Sequence, residues 1–197
     1  MKIKNNLYGA SIENTKIAID KIIAGEIIIY PTDTLYGFGA DATNSDAISQ
    51  INQIKGRKSP LSIIINDLDE IYEYAKISKK IFIKINDLLP GPYTILLESK
   101  NNPKISPYIQ SDSKLIGIRV INNKFCNTII KETKYPIVTT SVNIHGDPPM
   151  TNIDHITRKF NHITTFYTKK ELISKGSTII DFSTTPESII RKGAGEY

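Results

Sequence analysis

After residue 90 the chain offers six short runs rich in Ile, Val, Thr and Tyr with only two helical stretches among them, and no other feature restricts the fold as much. The runs are YTILLES, KLIGIRV, YPIVTTS, HITTFYT, STIIDFS and ESIIRK, and the helices fall near Asn123 to Lys131 and Asn152 to Phe160. β-Branched and aromatic residues in runs of this length predict strands. Strands that do not alternate strictly with helices do not build a purely parallel, doubly wound sheet. The expectation is therefore α/β, with an open, mixed, largely antiparallel sheet flanked by helices.

The first half is more helical. SIENTKIAIDKIIAG puts Ala18, Ile19, Ile22 and Ile23 on one helical face with Gly25 at the C-terminal cap, and a strand over Glu26–Tyr30 follows. Behind the N-cap cluster TNSD, Ala47, Ile48, Ile51 and Ile54 recur at helical spacing, which predicts a helix over Ser45–Lys55. LSIII reads as a short strand. Asp67 caps the helix of NDLDEIYEYA, whose first-turn acids suit the helix dipole, and SKKIFIKINDLL is a further helix ended by Pro90. A chain of 197 residues suits one domain over 1–197.

Composition narrows the function classes. The formal charge of +5 points weakly to anionic partners such as nucleotides or RNA. The single cysteine, Cys126, excludes an internal disulfide or a cysteine-based zinc site; it reads as a small buried helix residue in a reducing compartment. No run approaches the roughly 18 apolar residues of a membrane span, and the N-terminus lacks a leader's apolar core, so a soluble, cytoplasmic protein is expected. His145, His155 and His162 lack metal-ligand spacing, and there is no GxSxG elbow or Cys/His pair. Neither a protein-bound metal nor a covalent nucleophile is expected.

Polar clusters remain. In IIIYPTDTLYGFGADA, Pro31 ends the strand's hydrogen bonding and Thr32, Asp33 and Thr34 project from a sheet rim. Such a turn suits a small polar ligand, or simply satisfies its own backbone. There is no GxxxxGK[ST] loop, and in GFGADA the first glycine comes too late after the strand for a dinucleotide turn. KGRKS gathers Lys55, Arg57 and Lys58 at a helix end, enough charge for a triphosphate or merely a solvated helix terminus. PIVTTSVNIHGDPP would point Thr139, Ser141 and Asn143 to one side if extended. Arg119 and Arg191 each close an apolar strand run, which puts their heads at sheet ends, able to clamp a phosphate or carboxylate or to pair with a nearby acid.

Taken in order, PTDTLYGFGADA, KGR before PLSIII, PGPYT, GIRV, TTSVN with GDPP, GSTIID and IIRKG resemble the YrdC/TsaC family of L-threonylcarbamoyladenylate synthases, from about Ile12 to Gly195. The resemblance implies a short, single-domain form with a YrdC/RibB-like fold and a concave, basic cavity. It implies condensation of L-threonine, bicarbonate and ATP with Mg²⁺ to threonylcarbamoyl-AMP and pyrophosphate, for tRNA threonylcarbamoyladenosine synthesis. Implied partners are downstream threonylcarbamoyl-transferase proteins and tRNA or double-stranded RNA. By motif, Thr34, Arg119, Thr139 and Ser177 would bind L-threonine. Lys55, Arg57, Ser59, Ser141, Asn143 and Arg191 would bind ATP, with Lys55 and Arg57 as the catalytic phosphate clamp. Aligned reactants and neutralised charge suffice for a carbamate attacking the α-phosphorus.

The chain departs from the family pattern in four places. Only KS separates Arg57 from Pro60, Ile64 stands where some members carry a threonine-contacting histidine, and Val142 and Lys192 replace the alanine of SAN and the proline of RPG. A non-catalytic paralogue that binds RNA or nucleotide is the alternative reading. A pure double-stranded-RNA module would show salt dependence without ATP turnover. The related carbamoyltransferase module of hydrogenase maturation comes with cysteine-rich fingers, which one cysteine does not supply.

Overall fold

Side chains alternate across a strand, so a strand buried on both faces needs two separate sets of partners. The computed structural model describes residues 6–56 and 60–197. Its strands are β1 (Leu7–Gly9), β2 (Ile28–Pro31), β3 (Tyr36–Asp41), β4 (Ser62–Ile64), β5 (Tyr93–Glu98), β6 (Leu115–Arg119), β7 (Ile137–Ser141), β8 (Thr164–Tyr167), β9 (Thr178–Asp181) and β10 (Ser188–Arg191). The helices are α1 (Thr15–Ile23), α2 (Ser45–Lys55), α3 (Ile71–Tyr74), α4 (Lys79–Asn86), α5 (Lys124–Thr133) and α6 (Ile153–Lys159).

Among the described residues the strands form one open sheet in the order β1-β8-β2-β3-β7-β4-β6-β5-β9-β10. Neighbours β2/β3, β3/β7, β4/β7, β5/β6 and β9/β10 are antiparallel, while β1/β8, β2/β8, β4/β6 and β5/β9 are parallel. The sheet is mixed as expected, with antiparallel pairs ahead by one.

The two faces are covered unequally. On one, Ile29, Phe38, Ala40, Ile63, Ile95, Ile118, Val138 and Ile180 pack with Ile48 and Ile51 of α2, Ile71 of α3, Ile85 of α4 and Ile156 of α6. On the other, Ile28, Tyr30, Ile64, Ile137 and Phe166 pack under Ala18 and Ile22 of α1 and Phe125, Cys126, Ile129 and Ile130 of α5. Burying an aliphatic side chain stabilises the fold by about 1.5–3 kcal/mol, so both clusters contribute to holding the sheet between its layers. The second cover stops short of the strand ends, and that gap becomes the site.

Local expectations mostly hold. α2 has its expected bounds: Asn44 accepts from the Asp46 and Ala47 amides, and Gly56 closes the helix at φ 68. Gly25, at φ 78, follows α1, with the Glu26 amide donating back to the Lys21 carbonyl, a Schellman closure. Two readings change. Ile23 is 67% exposed, because the packed face of α1 is Thr15, Ala18 and Ile22. YGFGAD, whose two glycines suggest a turn after the strand, is itself a strand. Its glycines lie on the Tyr30 face, opposite Phe38 and Ala40, in the register Tyr30↔Gly37 and Ile28↔Gly39.

Gly39 is required by close approach: a Cβ there would fall inside the Tyr30 ring contact. Gly39→Ala should therefore destabilise the fold by about 1–3 kcal/mol, the usual cost of overpacking. The expected outcome is a lower urea midpoint at unchanged m-value.

Candidate functional site

The strand register carries the second face from apolar to polar. Ile64↔Ile137 lies under α5, and the next same-face pair along β4 and β7 is Ser62↔Thr139, after which Ser141 stands against Gly37. Beyond the helices these side chains, with Thr32, Thr34, Thr94, Arg119, Lys175, Ser177 and Arg191, line a cavity of about 190 Å³. Gly37 lines it without a side chain, and Gly117 lies against the lining Ser62. A Cβ at Gly117 would stand 2.6 Å from the Ser62 hydroxyl, and one at Gly37 would stand 3.1 Å from that of Thr139.

The hydroxyls are held in pairs. Thr32 Oγ1 lies 3.2 Å from Thr34 Oγ1, accepts from the Thr34 and Leu35 amides and donates to the Leu35 carbonyl at 2.7 Å. The PTDT turn thus satisfies its backbone through Thr32 while Thr34 lines the cavity. Thr94 Oγ1 lies 2.7 Å from Ser177 Oγ. Arg191 donates twice to the Ser177 carbonyl and, at 3.2 Å, to the Ser177 hydroxyl. Its guanidinium is held below its ordinary pKa by burial and by the nearby Arg119 charge.

Arg119 closes β6 with its side chain 7% exposed. Its Nη2 donates to Asp33 Oδ1 at 2.6 Å and its Nε to the Tyr93 carbonyl at 3.2 Å. Asp33 Oδ2 is buried without a partner among the described residues. Burial pushes the Asp33 carboxyl above the ordinary range against the opposing pull of Arg119. Burial likewise raises the thiol of Cys126, whose Sγ donates to the Pro31 carbonyl at 3.2 Å.

Of the residues expected to contact ligands, Thr34, Arg119, Thr139, Ser141, Ser177 and Arg191 line this one cavity. Arg57 and Ser59 lie outside the described residues, although Pro60, which follows them, lines the cavity. Lys55 and Asn143 stand behind the wall. Lys55 is 2% exposed, and its Nζ donates to the Ser141 carbonyl at 2.7 Å, the Asn143 carbonyl at 3.3 Å and Asn143 Oδ1 at 2.7 Å. Asn143 Oδ1 also accepts from the Ser141 hydroxyl, and its Nδ2 donates to the Asp147 carbonyl. β7 ends at Ser141, so Asn143 does not continue the row. Ile64 is fully buried in the α1/α5 cluster, away from the cavity. Sequence reasoning passed over Ser62, Thr94 and Lys175; the first two had a signal in LSIII and PYT, where one hydroxyl interrupts an apolar strand.

An open mixed sheet with a small, hydroxyl-lined, arginine-flanked cavity on its half-covered face defines a binder of small polar molecules. Residues 20–193 match the model of the Sua5/YciO/YrdC family, which carries the description telomere recombination. A Methanocaldococcus jannaschii protein provisionally named a threonylcarbamoyl-AMP synthase is 35% identical over 97% of this chain and 89% of its own. A Pyrococcus abyssi Sua5 solved with L-threonine superposes with a TM-score of 0.84 at 25% identity, over 95% of this chain and 57% of that one. A Methanobacterium thermoautotrophicum protein aligns at 31% identity and a TM-score of 0.68, over 99% of this chain and 92% of its own. The chain therefore belongs to the Sua5/YciO/YrdC family, and it spans little more than half of the solved Sua5.

The buried ammonium makes the Ser141–Asn143 corner testable. Lys55→Met keeps length but leaves oxygens without their charged donor, and should cost about 1.5–3 kcal/mol. Urea unfolding should report the loss, and limited proteolysis should cut near Asp147 faster than in the wild type.

Proposed function

We propose that this protein is an L-threonylcarbamoyladenylate synthase, joining L-threonine, bicarbonate and ATP into threonylcarbamoyl-AMP with release of pyrophosphate. The observation that carries the reading is Arg119: a buried guanidinium, fixed at two of its N–H groups, beside the hydroxyls of Thr34, Thr139 and Ser177 in a cavity of amino-acid size. A carboxylate suits that guanidinium, and a hydroxylated side chain suits those hydroxyls. Homologues named threonylcarbamoyl-AMP synthases and the threonine-bound relative support it, and they favour it over the non-catalytic reading.

The cavity is smaller than the roughly 300–1,000 Å³ typical of drug-sized ligands, so the nucleotide extends past its rim. We assign the rim near Ser141 and Pro60 to ATP, with Arg57, Ser59 and Arg191 on its phosphates and Lys55 and Asn143 fixing the corner that carries Ser141. Among the described residues no three His, Cys, Asp or Glu side chains converge, so Mg²⁺ is proposed to arrive on the triphosphate.

The chemistry asks little of protein nucleophiles. The threonine amine takes the carbon of bicarbonate with loss of water, the carbamate oxygen bonds to the α-phosphorus, and pyrophosphate leaves with the electron pair. The enzyme's part is alignment and neutralisation of developing charge. Downstream transferase proteins and an RNA partner belong to the same proposal. No helix among the described residues is long and apolar enough to cross a membrane.

Purified protein given Mg-ATP, bicarbonate and L-threonine should release pyrophosphate and form the adenylate, detected by mass, only when all three are present; ATP binding without product would overturn the assignment. Thr34→Ala should raise the threonine KM about tenfold, as loss of one ligand hydrogen bond does. Arg57→Ala should act on the ATP terms instead.

A further inference from the structure

Asp33 has been given no role in the reaction, yet it is the acid against which Arg119 is set. The contacts of Arg119 use Nε and one N–H of Nη2, the side edge of the guanidinium fork. Three of its five N–H groups, both on Nη1 and one on Nη2, have no acceptor among the described residues, and the residue lines the cavity. That remaining end edge is the one that grips a carboxylate bidentately. Among the described residues the Tyr93 carbonyl fixes one corner of the fork and Asp33 fixes its rotation. The carboxylate does so with a single oxygen, since Oδ2 is buried without a partner among the described residues. This arrangement costs solvation, which an apolar residue would not, and what it returns is a defined direction for Arg119.

We propose that Asp33 is a positioning residue that aims Arg119 at the carboxylate of the amino-acid substrate, so that affinity for threonine, and not for nucleotide, depends on its negative charge. The inference rests on the synthase reading for the identity of that substrate. Around Asp33 stand Arg119 from β6, Cys126 from α5 and Tyr30 from β2, with Lys170, Glu171 and Lys175 across an adjoining cavity. Of these, Asp33 and Glu171 are the carboxylates. A desolvated carboxyl protonates at a higher pH than a solvated one, so threonine affinity should fall on acidification before ordinary carboxylates titrate, above about pH 4. The sign for folding is opposite. A raised native pKa means that the folded chain takes up the proton first, so this group's contribution to stability grows as pH falls. Loss of ligand without unfolding is the signature.

The test is calorimetric titration of threonine and, separately, of Mg-ATP into wild type, Asp33→Asn and Glu171→Gln, at pH 7.5 and stepwise down to pH 4.5, with melting temperatures recorded. Asp33→Asn should weaken threonine binding about tenfold or more and flatten its pH dependence, with the ATP affinity within about twofold. Glu171→Gln should keep the wild-type acid limb. Equal loss of both ligands, or threonine binding unchanged in Asp33→Asn, would overturn the positioning role. If Asp33→Asn does not fold, the wild-type acid limb decides, and its absence overturns the proposal. A wild type that binds ATP but no threonine at any pH would instead defeat the synthase reading.

Discussion

The site depends on one mismatch between layers: the α1 and α5 cover is shorter than the strands beneath it. Where helices lie on the sheet, alternate residues are Ile28, Ile64 and Ile137; where they do not, the same alternation places Thr32, Ser62 and Thr139. A hydroxyl is the residue type that fits there. It hydrogen-bonds to a neighbour or to a ligand without the solvation cost of a charge, whereas a further aliphatic side chain would face open space. The opposite face, fully covered by α2, α3, α4 and α6, holds the sheet in place while the exposed end stays polar.

Charge enters this hydroxyl field at few points, and three of them are tied down. Arg119 is set by Asp33 and Tyr93, Arg191 by Ser177, and Lys55 by the Ser141–Asn143 corner. Long cationic side chains carry much rotamer entropy, so anchoring them before a ligand arrives moves that cost from binding to folding. Such preorganisation suits a reaction whose catalyst must hold two substrates in line without forming a bond to either.

How much of this was legible in the sequence follows from where the information lies. α2 was readable to its ends because its periodicity, its Asn44 cap and Gly56 all sit within one short window. The mixed sheet was readable because each strand is locally rich in β-branched residues. β3 was not: the glycines of YGFGAD look like a turn, and their reason, the Tyr30 ring and the Thr139 hydroxyl, lies on neighbouring strands. The same limit applies to the site. Thr34, Arg119, Thr139, Ser141, Ser177 and Arg191 were picked out by motif and meet in one cavity. Lys55 looked like a cation at a helix end, and only the return of β7 past α2 shows it enclosed by carbonyls. Asp33 looked like one more polar turn residue, because its partner lies 86 positions away.

The floor of the cavity has a consequence for how such a protein can change. Gly37 lines the pocket by atoms it lacks and Gly117 leaves room for the lining Ser62 to lie close, so every substitution at either adds volume and none can deepen the pocket. Drift at these positions runs one way, toward a filled cavity on an intact sheet. Overall structural likeness therefore reports the scaffold, while part of the room for a substrate is recorded in glycines that contribute no side chain to any contact.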